Sequence, residues 1–341
     1  MRVLVTGGGG FLGSAICRQL LQRGDEAVAY QRRPAPGIEA LGGACVRGDL
    51  LDRGRLVQTA RACDAVLHTA GKAGVWGSYA SYHEANVTGT ENVIAACREN
   101  GIGLLVHTSS PSVVHGGGDI EGGDESLPYP ERFLSPYPAT KAQGERLVLA
   151  ANGESLRTLA LRPHLIWGPG DPHLLPRLVH KARGGRLALP GASRLIDTIY
   201  VDNAAHAHLL GLDRLRGGGA CCGRTYFVTN GEPLPQGRII RGLLEAAGLE
   251  VRIREVPPAL AKTAGAVLES AWKLLRIGSE PPLTRWSAEQ LSTSHWYDIS
   301  AARRDLGYEP LVSIAEGLAL LRKYLQTTGE HAGFNGVTGD G

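Results

Sequence analysis

The sequence predicts an α/β protein, a Rossmann-type doubly wound parallel sheet with a smaller, interleaved C-terminal lobe. Three observations lead there. A short β-rich run, RVLVT (2–6), ends in GGGGFLG and passes into the helically spaced SAICRQLLQRG. Apolar β-type runs then alternate with helical spacing to about residue 168, the rhythm of a parallel sheet covered on both faces. Beyond Gly170 the strict alternation fades, so the chain there builds something else.

Gly7, Gly10 and Gly13 give GxxGxxG at the first strand–helix junction. A tight turn there lets backbone approach a pyrophosphate, and the N–H groups of the helix start, those of Phe11 and Leu12 among them, point at its oxygens. EAVAYQ, ACVRGDL and DAVLHTAG follow as strands, then the helix EANVTGTENVIAACREN and the strand LLVHTSS. Ligands sit at the carboxyl ends of such strands. That singles out Gln31 to Arg33, Asp49 and Leu50, Ala70, Gly71 and Lys72, and Thr108 to Ser112. The second strand ends YQRRP, with Gln31 where an NAD site would place an acid. Arg32 and Arg33 suit a 2′-phosphate that a carboxylate would repel, so NADP(H) is expected ahead of NAD(H). Asp49 either accepts from the adenine amino group or caps its own turn.

The stretch 135–147, SPYPATKAQGERL, sets a tyrosine between two prolines with a lysine four residues on. Pro138 suits the start of a helix through ATKAQGERLVLAA, because proline fixes φ and has no N–H to lose there. Residues four apart share a helical face, so the Lys141 ammonium lies beside the Tyr137 ring. A phenol near a fixed cation ionises more readily, as a proton-transferring tyrosine requires. Of ten tyrosines, only Tyr137 has a lysine at that offset.

With GGGGFLG, HTAG, TSS and YPATK in that order, the chain resembles the extended short-chain dehydrogenase/reductase superfamily over nearly its whole length. The resemblance implies an NAD(P)-dependent oxidoreductase. In it Tyr137 would protonate a carbonyl oxygen, Lys141 would hold the nicotinamide ribose and lower the phenol's pKa, and Ser110 would hydrogen-bond the same oxygen. Ser109 and Ser112 stand near enough to be alternatives to Ser110, and Pro163 joins the cofactor site. LRPHLIWGPGD (161–171) and YVDNAAHAHLLGL (200–212) look like the branch of 3-beta-hydroxysteroid and sterol-4-alpha-carboxylate 3-dehydrogenases. Sugar-nucleotide epimerases and dehydratases usually show asparagine where Pro163 or His164 stands, which counts against them.

Within that branch, HTAGKAGVWGSYASYHEANV, RPHLIWGPGD, NGEPLP and EPPLTRW with EQLSTSHWY are similar to the bacterial reductases of long-chain olefin biosynthesis. Those reduce 2-alkyl-3-oxoalkanoates to 2-alkyl-3-hydroxyalkanoates with NADPH. A steroid or sterol dehydrogenase is the alternative, and a cofactor sensor without chemistry would commonly lack the Tyr–Lys pair. Either substrate brings a large apolar body, a reacting oxygen and a carboxylate one carbon away, which calls for an oily pocket with a cation or two. Trp76, Phe133 and Leu134 are candidates for its lining. Ser112 and His164 are further substrate contacts, and Lys72, His164 and Arg285 are candidate cations.

A net charge of +3 with no long basic run does not point to nucleic acid. Six cysteines without CxxC or Cys/His ligand spacing indicate neither zinc nor disulfides, and reduced thiols fit a cytoplasmic protein. His206 and His208 lack a third ligand at suitable spacing and read as helix surface. The expected division is 1–168 as the nucleotide domain with a return segment at about 197–215, 169–196 and 216–326 as the substrate lobe, and 327–341 as a flexible tail. In 259–277, ALAKTAGAVLESAWKLLRI, Lys262, Glu269, Lys273 and Arg276 fall on one helical face. Leu260, Ala264, Val267, Leu268, Ala271, Leu274 and Leu275 occupy the other. The segment reads as a helix packed on the small lobe, a movable lid, or a contact with a membrane or a partner enzyme. A homodimer and a small-molecule long-chain β-keto acid complete the expected partners.

Overall fold

The computed structural model describes residues 1–182 and 184–329. The first half carries the strands β1 (Arg2–Thr6), β2 (Glu26–Gln31), β3 (Ala44–Arg47), β4 (Ala65–His68), β5 (Leu104–Thr108) and β6 (Ile120–Gly123). The second half adds β7 (Arg157–Pro163), β8 (Ile166–Trp167), β9 (Arg186–Pro190), β10 (Leu195–Ile196), β11 (Ile199–Tyr200), β12 (Arg224–Val228), β13 (Leu234–Pro235), β14 (Arg252–Val256) and β15 (His295–Tyr297). Between them run the helices α1 (Phe11–Gln22), α2 (Pro36–Ala40), α3 (Arg53–Ala60), α4 (Tyr79–His83), α5 (Gly89–Glu99) and α6 (Pro136–Ala150). Then come α7 (Leu174–Ala182), α8 (Val201–Arg216), α9 (Gln236–Ala246), α10 (Pro258–Leu274), α11 (Arg285–Ser292) and α12 (Ile314–Thr328).

Seven strands form one parallel sheet in the order β12-β7-β5-β4-β1-β2-β3. Strand order reverses direction between β1 and β4, which opens a crevice at their carboxyl ends. Alternation within each strand feeds two separate cores. Val3 and Val5 pack with Ile16 and Leu20 of α1 and Ala204 and Leu212 of α8. Leu4, Val28, Val66 and Leu105 face the other way, onto Leu56 of α3, Val93 and Cys97 of α5, and Val148 of α6. A smaller mixed sheet, β13-β10-β15-β6, stands beside the large one.

Several boundaries differ from the sequence expectation. The strand TYFVTNGE, assigned to the substrate lobe, forms β12 and pairs with β7 at the edge of the large sheet. β6, within the span assigned to the nucleotide domain, crosses over to pair with β15 of the small sheet. The expected tail begins inside α12, which runs to Thr328; residues 330–341 lie outside the described residues.

Helix α10 packs by the face that carries Lys262 and Glu269, not by its apolar stripe. Ala261, Gly265 and Glu269 are buried, whereas Leu260, Val267, Leu274 and Leu275 are exposed. The reason is its neighbour α11. Lys262 pairs with Glu289 at 2.8 Å, Glu269 accepts from the Arg285 backbone at 2.9 Å, and Gly265 lets Thr284 approach closely. His208 is buried rather than on a surface, because it reaches inward to Thr108. Among the described residues no cluster of His, Cys, Asp and Glu could hold a metal ion, and no helix is long and apolar enough to cross a membrane.

Candidate active site

Helix α6 begins at Pro136, two residues before the expected start, because the Ser135 hydroxyl caps it by accepting from the Tyr137 N–H at 3.3 Å. Tyr137 therefore sits in the first turn, with Lys141 and Glu145 following at successive four-residue steps. Lys141 is buried and donates to the Thr108 carbonyl at the end of β5. Burial lowers its pKa to about 8, with Glu145 opposing the shift. Burial also pushes the Tyr137 phenol up, and hydrogen bonding with Ser110 pulls it part of the way back. This direction is the reverse of the lowering expected from Lys141: burial dominates, only Ser110 works against it, and the ammonium is turned toward the Thr108 carbonyl.

The three serines after β5 separate by their partners. Ser112 donates to the Ser110 hydroxyl at 2.9 Å through its own hydroxyl and at 3.2 Å through its N–H. With two bonds accepted at its oxygen, Ser110 keeps its proton for the cleft on the Tyr137 side. Ser109 Oγ is buried and has no hydrogen-bond partner among the described residues.

Two residues that sequence reasoning passes over hold this arrangement. Asn86 lies buried in a π-helical turn, Glu84–Thr88, between α4 and α5. Its side chain accepts from Lys72 N at 2.7 Å, and donates to Lys72 O at 3.1 Å and to Thr140 Oγ1 at 3.0 Å. Loop 70–72 is thereby tied to the helix carrying Tyr137. Glu145 is fully buried and takes two bonds from Arg162 of β7, at 2.7 and 2.9 Å, and one from Tyr129 at 2.6 Å. The four-residue repeat through Tyr137, Lys141 and Glu145 was the signal available for Glu145; a polar residue inside an ordinary helical pattern offered none for Asn86.

The glycine loop fits a dinucleotide. Gly7 has φ +71°, and a Cβ there would lie 3.0 Å from the Ala70 backbone. A Cβ at Gly13 would lie 2.1 Å from Gly7 O, so only glycine permits the loop to fold against the helix start. Gly10 caps α1 without a side-chain bond, leaving the first-turn N–H groups of Phe11 and Leu12 for an anion. Gln31 accepts from Gly9 N and donates to Arg33 O at 2.7 Å. Arg32 and Arg33 are exposed, and neither makes an ion pair among the described residues. Asp49 caps its own turn through Leu51 N at 3.0 Å, while Leu50 O accepts from Asn92 at 2.8 Å.

The pocket candidates scatter. Pro163 ends β7, and the next residue, His164, sets its Nδ1 2.5 Å from the buried Asp197 carboxylate within a ring cluster of His295 and Tyr297. Arg285 instead points onto α10, where it donates to Ser270 at 3.0 Å. Phe133 packs against the Val113, Phe227 and Tyr297 cluster, and Leu134 is exposed. Trp76 is half-buried, its carbonyl accepting from Tyr82 OH at 3.1 Å. Tyr82 in turn sets its ring 6.4 Å from that of Tyr137, edge on.

Residues 4–257 match the model of the 3-beta hydroxysteroid dehydrogenase/isomerase family. The chain is 53% identical over 325 residues to a 2-alkyl-3-oxoalkanoate reductase of Stenotrophomonas maltophilia, covering 94% of this chain and 98% of that one. It is 47% identical over 330 residues to a reductase of the same name from Shewanella oneidensis, covering 94% and 85%. Among solved structures it is similar to MoeE5 in complex with UDP-glucose and NAD, with a TM-score of 0.74 and 25% identity over 96% of this chain and 99% of that one.

Proposed function

The chain belongs to the 3-beta hydroxysteroid dehydrogenase/isomerase family, and from that premise we propose that it reduces a 2-alkyl-3-oxoalkanoate to the 2-alkyl-3-hydroxyalkanoate. It is an NAD(P)-dependent oxidoreductase of the extended short-chain type. The observation that carries the substrate is the 53% identity to the Stenotrophomonas maltophilia reductase along nearly the full length of both chains.

In this reading a nicotinamide cofactor, when bound, would supply the hydride that the 3-oxo carbon takes up. Tyr137 donates its proton to the carbonyl oxygen, and a phenol kept protonated by burial is suited to that. Ser110 donates to the same oxygen and holds it in place as negative charge develops. Lys141, fixed by the Thr108 carbonyl, binds the nicotinamide ribose. Gly7, Gly10, Phe11, Leu12 and Gly13 hold the pyrophosphate, Asp49 and Leu50 the adenine, and Ala70, Gly71, Thr108 and Pro163 the nicotinamide end. NADPH is the preferred donor; the unpaired guanidinium groups of Arg32 and Arg33, and Gln31 in place of an acid, support this.

The seven-stranded unit holds the cofactor, and the segments around the small sheet cover the acyl chain, with Trp76, Ser112 and His164 at the junction. A homodimer, a cytoplasmic location consistent with six free thiols, and a membrane or partner-enzyme contact through the exposed leucines of α10 belong to the same reading. The test is NADPH consumption with a 2-alkyl-3-oxoalkanoate, run beside a 3-oxosteroid and with NADH. Faster turnover of the steroid would reverse the assignment.

A further inference from the structure

We propose that Lys72 binds the carboxylate of the substrate and, by doing so, suppresses loss of carbon dioxide before reduction, an inference that rests on the β-keto acid reading above. The Lys72 ammonium is half-buried and has no acidic partner among the described residues. Its one hydrogen bond goes to a neutral oxygen, Ser81 Oγ at 2.8 Å, and it stands 4.9 Å over the Tyr82 ring. Two of its three N–H donors therefore remain for a ligand.

Its location fits. The Tyr82 ring beneath it meets the Tyr137 ring edge on. The preceding residue, Gly71, runs so near the catalytic lysine that a Cβ there would lie 4.0 Å from Lys141 Nζ. Asn86 fixes the Lys72 backbone from both sides, so the side chain swings from a held root. The other cations named for this role are engaged. His164 already faces the buried carboxylate of Asp197, which would repel a second one, and Arg285 lies on α10.

The chemistry gives such a cation a purpose. In a 3-oxo acid the bond from C2 to the carboxylate carbon can break, its electron pair moving to C2–C3 to leave an enolate as carbon dioxide departs. Donors on the ketone oxygen, here Ser110 and Tyr137, assist that loss as well as hydride addition. The two paths differ at the carboxylate. Its charge stays during hydride addition and vanishes during decarboxylation. An ammonium paired with it therefore stabilises the reactant against the second path only.

The test compares Lys72→Met and Lys72→Arg with wild type. In the oxidative direction with NADP⁺, each is assayed on a stable 2-alkyl-3-hydroxyalkanoate and on the matching secondary alcohol without the carboxyl group. Lys72→Met should raise KM for the acid about 10- to 100-fold, leave the plain alcohol and the NADPH Kd within about twofold, and be partly rescued by Lys72→Arg. In the reductive direction the ketone formed per hydroxy acid, corrected for spontaneous loss, should rise in Lys72→Met. An unchanged KM for the acid, or equal losses on acid and alcohol, would overturn the role of Lys72 while leaving the reductase reading intact. A wild-type enzyme inert toward the hydroxy acid would instead remove that reading, and the role of Lys72 with it.

Discussion

Asn86 grips the peptide of Lys72 on both sides, accepting from its N–H at 2.7 Å and donating to its carbonyl at 3.1 Å. The same amide nitrogen reaches Thr140, one turn from Tyr137, at 3.0 Å. One buried side chain thus sets the spacing between the loop after β4 and the helix that bears the phenol. Asn86→Ala leaves the part-buried Lys72 N–H unpaired, a cost of about 1–3 kcal/mol. The thermal midpoint should fall, and kcat/KM should drop at least about tenfold because the Tyr137 phenol and the loop lose their common reference. Unchanged steady-state kinetics in a folded variant would show that the spacing is fixed elsewhere.

The serines and the tyrosine predict a graded series. Tyr137→Phe should lower kcat by about 10²–10⁴ while NADPH still binds, since only the proton is removed. Ser110→Ala should cost about 10²-fold. Ser112→Ala should cost less, because it loosens Ser110 rather than touching the ketone, and Ser109→Ala should cost least, its hydroxyl having no partner among the described residues. Single-turnover rates on the four variants check the ranking. A Ser109 effect larger than that of Ser110 would reassign the donor.

At the end of β2 the charge logic can be reversed. Replacing Arg32 and Arg33 together by alanine should weaken NADPH by about 10- to 100-fold, with NADH nearly unaffected. Gln31→Asp should move preference the same way by repulsion, because Gln31 reaches both the glycine loop and Arg33 O. Fluorescence titration with both cofactors measures it. Equal weakening of the two would mean that the arginines do not read the phosphate.

The large sheet was legible because buried parallel strands and their helices write their periodicity directly into the chain; β1, β2 and β5 fall where RVLVT, EAVAYQ and LLVHT stand. Local chemistry near the site was legible too, since Tyr137 and Lys141 lie one turn apart on α6. What the sequence hid was long-range. β6 pairs with β15, some 170 residues later, and neither strand of three or four residues carries a pattern of its own. Asn86 was hidden because its value lies in reaching Lys72 and Thr140, and no local rule asks for asparagine there.

Lys141 predicts a pH dependence of the cofactor-free protein. Its pKa is lowered from 10.5 to about 8 by burial. Below about 8 the folded and unfolded forms both carry the proton, and the cost of burying the charge is fully present. Between about 8 and 10.5 the unfolded form binds more protons, so this group's contribution to stability rises with pH. Over that window wild type should gain about 3 kcal/mol relative to Lys141→Met. Urea unfolding at pH 7 and pH 10 checks the sign, and a constant difference would place the ammonium in a wetter site.

Helix α10 offers the sharpest division between a pattern read from sequence and the face that packs. Leu274 is 83% exposed and Val267 62%, so charging either should leave stability within about 0.5 kcal/mol. Gly265 faces α11, where a Cβ would lie 2.8 Å from the Thr284 carbonyl, a backbone atom that cannot give way cheaply. Gly265→Val should therefore separate the two helices and cost about 1–3 kcal/mol or more. Ala261→Glu should do likewise by forcing a carboxylate into a buried position. Chemical denaturation of Leu274→Glu, Val267→Glu, Gly265→Val and Ala261→Glu ranks the two faces in one experiment. If the charged leucine and valine variants unfolded while the glycine variant did not, the apolar face would be the packed one, and α10 would sit on the lobe by the stripe that its sequence pattern suggests.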